Sequence, residues 1–286
     1  MADLISYFTI SMIHQLWIWI LAKIQKHGLP SKAKALARLQ ASPMPETIKE
    51  LNVLLQKYYH FHTFVLEPMG DTTQPSTNRL PRFSFDTVSG IGILTLYSWS
   101  GYSKEENHKV ILQIRRWIRS HALKGLLIDL REHEGGNMWP FLQGLSPLLG
   151  GSSLLAFGLE KESRKTGENW INMGKLGGIH TGTYIRKDLP FRVAVLVGKH
   201  TGSSGEFTAL AFHGRKHARL FGATTAGYTS NNTTFRYRKS VLLNLTTHGV
   251  TGYNGRFYNG GKHPILPDLI IRGDPMKEAK AYVMSA

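Results

Sequence analysis

The chain has 286 residues, 42% of them hydrophobic and 19% charged, a globular composition that excludes a disordered chain and supplies one large core or two small ones. It has no cysteine, which excludes disulfides, thiolate zinc sites and cysteine nucleophiles. Lysine and arginine exceed aspartate and glutamate by 35 − 19 = 16, but the basic residues are spread along the chain without a nucleic-acid-binding signature, so they read as a solvated surface with no nucleic-acid partner.

Residues 4–27 read as a helix. Leu4–Ile24 is apolar and about long enough to span a bilayer, yet it carries Ser6, Thr9, Ser11, His14 and Gln15, and no cationic region precedes it as in a signal peptide. Lys23, Lys26, Lys32 and Lys34 follow it and would hold the rest of the chain inside the cell if it inserted. The expectation is a cytoplasmic protein without stable membrane insertion; association through residues 4–24 is the alternative.

A second helix is expected over Ser31–Gln40. A third begins with Pro45 in its first turn and puts Ile48, Leu51, Leu54 and Leu55 on one face. Residues 63–86 read as loop with short extended pieces, Gly90–Trp99 as a strand, Lys104–Ala122 as an amphipathic helix and Gly125–Arg131 as a buried strand. A loop and helix follow over Gly135–Gly150, and the polar stretch Glu160–Gly182 holds no period. Val193–Gly198 is again a strand, then comes a serine-bearing turn with its helix, and Thr233–Ile271 alternates as hairpin strands do. The order predicts an α/β (α+β) fold: a helical bundle over 1–60 and a core over 61–286, with a cap insertion at about 158–184.

Two buried strands end in unusual loops, "LLIDLREHEGGN" (126–137) and "VAVLVGKHTGSSGE" (193–206). Ligands gather at the carboxyl ends of strands in α/β sheets, so both loops are candidates for one crevice. The serine turn has two readings. Ser203 is a nucleophile at the mouth of a helix, or Thr201 or Ser203 caps that helix with Glu206 completing a capping box. Gly135 and Gly136 likewise make either a tight turn or a pair of outward N–H donors for a developing oxyanion.

Together these loops resemble the C-terminal processing (tail-specific) serine peptidases. "DLREHEGGN" is similar to their Asp-Leu-Arg-x-Asn-x-Gly-Gly-Asn element, "TGSSGE" to the Thr-Ala-Ser-x-x-Glu nucleophile turn, "FGATTAG" (221–227) to Gly-Glu-x-Thr-x-Gly, and "ILPD" (265–268) to the closing Pro-Asp. "GGNMWPFLQGL" resembles the nisin-resistance-protein-like branch most. The resemblance implies a crotonase-like core, no cofactor and no metal. It places the nucleophile at Ser203 and the oxyanion donors at the N–H of Ser204 and the Gly135–Gly136 turn, with Glu206 in support.

Lysine-activated members of the family carry their base where this chain has Tyr228, and a phenol is no substitute for a desolvated lysine. The tricorn and nisin-resistance branches use a histidine, which the resemblance places at His62 of "HTF" (62–64). His60 has the opposite parity if the segment is extended, and so points away. Glu132 and His133 depart from the family pattern, and Glu134 adds an acid beside the proposed oxyanion turn. A late glutamate of some relatives falls near Asn259, expected to support the base without charge. The implied activity is that of a serine endopeptidase cutting a peptide or protein substrate near its C-terminus. The rival reading is a catalytically silent ligand- or peptide-binding relative on the same fold.

Overall fold

The computed structural model describes residues 10–66, 78–101, 103–149, 154–158, 170–171, 191–238, 241–258 and 263–285. The first elements are α1 (Ile10–His27), α2 (Lys32–Gln40), α3 (Ile48–Tyr58), β1 (Phe64–Leu66), β2 (Arg82–Asp86), β3 (Ile91–Thr95), α4 (Lys104–Ser120) and β4 (Gly125–Asp129). There follow α5 (Trp139–Gly144), α6 (Ser146–Leu149), β5 (Leu155–Gly158), β6 (Trp170–Ile171), β7 (Arg192–Val197), α7 (Ser204–Phe212) and β8 (Ala218–Gly222). The chain closes with β9 (Asn231–Tyr237), β10 (Val241–Thr251), β11 (Phe257–Tyr258), β12 (Leu269–Ile270) and α8 (Met276–Met284). Two compact units result: Met1–Gln74 with Ser230–Gly249, and Pro75–Thr229 with Val250–Ala286.

In the first unit α1 buries Ile13, Leu16, Trp17, Ile20 and Ile24, one stripe of a helix of period 3.6. This stripe shares an apolar cluster with Leu36, Leu39, Leu51, Leu55, Val65, Leu243 and Leu245. Helix α3 starts later than Pro45 suggests. Thr47 is its N-cap and accepts from the Glu50 N–H at 3.1 Å, a hydrogen bond that fixes the first turn more strongly than a permissive proline does. Strand β10 pairs antiparallel with β1 and β9. The Tyr59 hydroxyl accepts from Leu29 N at 2.9 Å and donates to Thr246 O, tying the α1–α2 link to β10. Among the described residues no helix is long and apolar enough to cross a membrane. Residues 4–9 of the expected first helix lie outside the described residues.

The second unit is built on a six-stranded sheet in the order β12-β8-β7-β4-β3-β2, parallel except for β2. Alternation sorts its side chains. Leu126 and Ile128 of β4 and Val193, Val195 and Val197 of β7 join the large core with α4, α5 and α7, whereas Leu127, Ala194 and Leu196 face Ala279 and Val283 of α8. Helix α8 comes so near the sheet that a β-carbon on Gly125 would lie 2.8 Å from Val283 Cβ. The start of β11 pairs with the last residues of β10, Thr251 opposite Phe257. Most of the polar stretch at 160–182 lies outside the described residues; within it, β6 pairs antiparallel with β5.

Candidate active site

The loops that leave β3, β4, β7 and β8 at their carboxyl ends are joined by backbone hydrogen bonds. Trp99 N donates to Gly135 O (3.2 Å), Asn137 N to Trp99 O (2.6 Å), Gly202 N to His133 O (3.0 Å) and Ala226 N to Thr201 O (2.9 Å). Thr201 Oγ1 adds a bond to Leu130 O (2.8 Å). Asp129 and Arg131 of the Asp-Leu-Arg element have a structural task here. The guanidinium grips both carboxylate oxygens of Asp129 and reaches Asp274, just before α8, at 2.8 Å.

At the centre of these loops Ser203 has φ 49° and ψ −115°, a conformation L-residues avoid. Among the described residues only Arg238 is another non-glycine residue with positive φ. Such a backbone costs about 1–3 kcal/mol and persists where the surroundings enforce it, often at functional sites. Thr201, Gly202, Ser204, Gly205 and Glu206 are buried around it, while Ser203 itself is partly exposed. Ser204 contributes a buried hydroxyl that finds no hydrogen-bond partner among the described residues.

Glu206 is fully buried in the first turn of α7. Its Oε2 accepts from Ser203 N at 3.0 Å, and its Oε1 accepts from Thr225 Oγ1 and from Gly227 N at 2.8 Å. Burial pushes its carboxyl up to about 7 against the pull of hydrogen bonds from Thr225 and the backbone of Gly227, Ser203 and Tyr228. The cap and the nucleophile readings of the serine turn are therefore compatible. Thr225 and Gly227 belong to the "FGATTAG" element, whose resemblance marked the segment but not its task; Thr225 also accepts from Ile265 N at 2.8 Å, beside the closing "ILPD".

Gly135 and Gly136 have φ +148° and +111°. A β-carbon on Gly136 would lie 2.2 Å from Trp99 O, so only glycine fits there. Glu132 and Glu134 both point to solvent. Glu132 pairs with Arg79 at 2.8 Å, and Glu134 lies 3.7 Å from His200, so neither carboxylate is buried beside the glycine pair. His133 between them is fully buried, edge-on to Phe141 with ring centroids 5.2 Å apart, and neither ring nitrogen has a well-formed hydrogen bond among the described residues. Burial holds its imidazole down at about 3.

In the first unit, His62 is buried between α3 and β1, and its Nδ1 lies 2.9 Å from Ser230 Oγ. A proton on Nδ1 would donate to Ser230 and leave Nε2 as an acceptor. Burial lowers this imidazole to about 4, opposed by a hydrogen bond to Ser230. The segment is a turn, so the condition of an extended run is not met: Thr63 N donates to His60 O (2.9 Å) and His62 N to His60 Nδ1 (3.1 Å). Parity therefore does not separate the two histidines, and His60 is buried as well. Ser230 has no signal in the sequence. Tyr228, at the lysine position, is partly exposed, its ring against Gly202. Asn259 lies outside the described residues. Among the described residues no cluster of three or more His, Asp or Glu could hold a metal.

A nisin-resistance protein of Lactococcus lactis subsp. lactis is 27% identical over 248 residues, 85% of this chain and 76% of that protein. The structure of a lipoprotein from Streptococcus agalactiae shares the fold with a TM-score of 0.75 at 24% identity, over 95% of this chain and 96% of that one. The sequence profile of peptidase family S41 matches residues 90–271, from the start of β3 to just past β12 and so across every loop described above in the second unit. The chain belongs to peptidase family S41, a family of serine peptidases whose substrates are peptides or proteins.

Proposed function

We propose that the protein is an active serine endopeptidase that cuts its peptide or protein substrate near the C-terminus. Ser203 attacks the scissile carbonyl, His62 takes the serine proton and returns it to the leaving amine, and backbone N–H groups of Ser204 and of the Gly135–Gly136 turn hold the oxyanion. The observation that supports this most is the backbone of Ser203. A serine that only capped a helix would take an ordinary extended conformation, whereas this one sits at φ 49° with buried neighbours and its own side chain partly exposed. Ser230 beside His62 orients the imidazole without adding charge.

That neutral partner is also what favours the second reading, a silent peptide-binding relative, because a hydroxyl at Nδ1 adds no charge to stabilise an imidazolium. Labelling with a fluorophosphonate separates the two. Parent protein that labels, with Ser203→Ala that does not, supports the enzyme; a folded parent that never labels supports the binder. Function in the cytoplasm is part of the same proposal.

A further inference from the structure

We propose that Glu206 is a positioning residue for the nucleophile turn and that its carboxylate must be ionised for Ser203 to react. The inference rests on the reading of Ser203 as the nucleophile. Every partner of the carboxylate is a donor: Ser203 N on Oε2, Thr225 Oγ1 and Gly227 N on Oε1, and the backbone of Tyr228. A neutral carboxyl carries a hydrogen of its own, which would face one of these donors and displace it. The bond to Ser203 N is the one that holds a strained residue in place. The others fasten the loop after β8 to the same side chain. One proton on Glu206 would therefore loosen the serine from the loop that carries Tyr228.

Few charges act on this carboxyl. The loop after β8 brings Thr225 and Tyr228, the loop after β4 brings His133 against Gly205, and β11 brings Tyr258 with Arg256 beside it. Burial dominates and places the carboxyl at about 7, within reach of ordinary pH. The acidic limb of activity then belongs to Glu206, above the range in which His62 titrates.

The test uses the full chain and the rate of fluorophosphonate labelling of Ser203 from about pH 5 to about pH 9. The parent rate should rise through a limb near 7. Glu206→Gln, whose amide turns hydrogens toward the donors, should slow labelling about 10- to 100-fold and abolish the limb, the scale of losing a buried charge-assisted hydrogen bond. Thr225→Val removes a donor to the carboxylate and should move the limb to higher pH, while Thr225→Ser should return it toward the parent position. A merely structural glutamate would lower the melting temperature in Glu206→Gln and leave the limb where it was, which overturns the proposal. Carboxyl titration by NMR of glutamate-labelled protein needs no reactive serine. One glutamate should titrate near 7 and vanish in Glu206→Gln, and parent glutamates that all titrate below about 5.5 overturn the proposal. Absence of labelling at every pH beside that signal would instead sink the nucleophile reading alone.

Discussion

A β-carbon on Gly135 would stand 3.0 Å from the β-carbon of Ser203, so the glycine turn and the serine turn touch, and a methyl group there would push the serine aside. Gly135→Ala should therefore displace Ser203 while leaving most of the loop in place. We expect fluorophosphonate labelling to fall by about two orders of magnitude, the scale of a lost oxyanion donor, with a folded protein by circular dichroism. Gly136→Val is the harsher change, because its β-carbon would meet the Trp99 carbonyl and not a side chain. That variant should lose stability as well as reactivity. Undiminished labelling in folded Gly135→Ala would move the oxyanion turn elsewhere.

The two serines should separate cleanly. Ser203→Ala removes the proposed nucleophile and should end labelling. Ser204→Ala keeps the backbone N–H and deletes a buried hydroxyl that has no partner among the described residues, so it should retain labelling and match or exceed the parent in melting temperature. Loss of labelling in Ser204→Ala alone would shift the nucleophile by one residue.

The strands and turns of the second unit were legible because β4 and β7 are buried on both faces and so read as unbroken apolar runs ending at glycine and serine. Helix α8 was not, since it buries only Ala279 and Val283, and its place depends on Gly125, which lies far away in sequence. A local spacing likewise foretold that Glu206 would meet Ser203, but the bonds to Thr225 and Gly227 cross from one loop to another. The parity argument for His60 and His62 failed because it assumed an extended segment where the chain turns. Ser230 stands 168 residues from His62, a pairing that no periodicity encodes.

Acid should destabilise the fold before carboxylate ion pairs are broken. Burial lowers His62 to about 4 and both His60 and His133 to about 3. Between these values and the ordinary 6.5 the unfolded chain binds more protons than the native one, so stability is complete above about 6.5 and falls as pH drops through the window. Glu206 runs the other way: raised to about 7, it binds a proton that the unfolded chain releases, and its contribution grows as pH falls from 7 to about 4.5. Three histidines outweigh one glutamate. His133→Leu keeps a side chain that can pack on Phe141 and removes the buried titratable ring, so its melting temperature should decline less steeply toward pH 4. The gain at the acid end should be on the order of a few kcal/mol. An unchanged slope would mean that His133 is protonated without cost in the folded state.

The choice of base can be read from what remains once Glu206 is removed from the pH profile. An unperturbed histidine base would give a limb near 6.5, but the buried His62 is held at about 4, chiefly by desolvation. In Glu206→Gln the residual labelling should therefore stay level down to about pH 5 and decline only below it. His62→Ala should end labelling in either background, because it removes the proposed acceptor of the serine proton. His60→Ala is expected to keep it, although its Nδ1 accepts from the His62 N–H, so a modest fall through a loosened turn is consistent with a supporting place. Ser230→Ala removes the neighbour of His62 Nδ1 and should slow labelling about tenfold without ending it, since a neutral hydroxyl orients the ring but carries no charge. Tyr228→Phe should leave the profile in place, as its backbone, not its hydroxyl, meets Glu206. An inactive His60→Ala beside an active His62→Ala would transfer the base to His60. Activity that survives both would remove histidine from the mechanism.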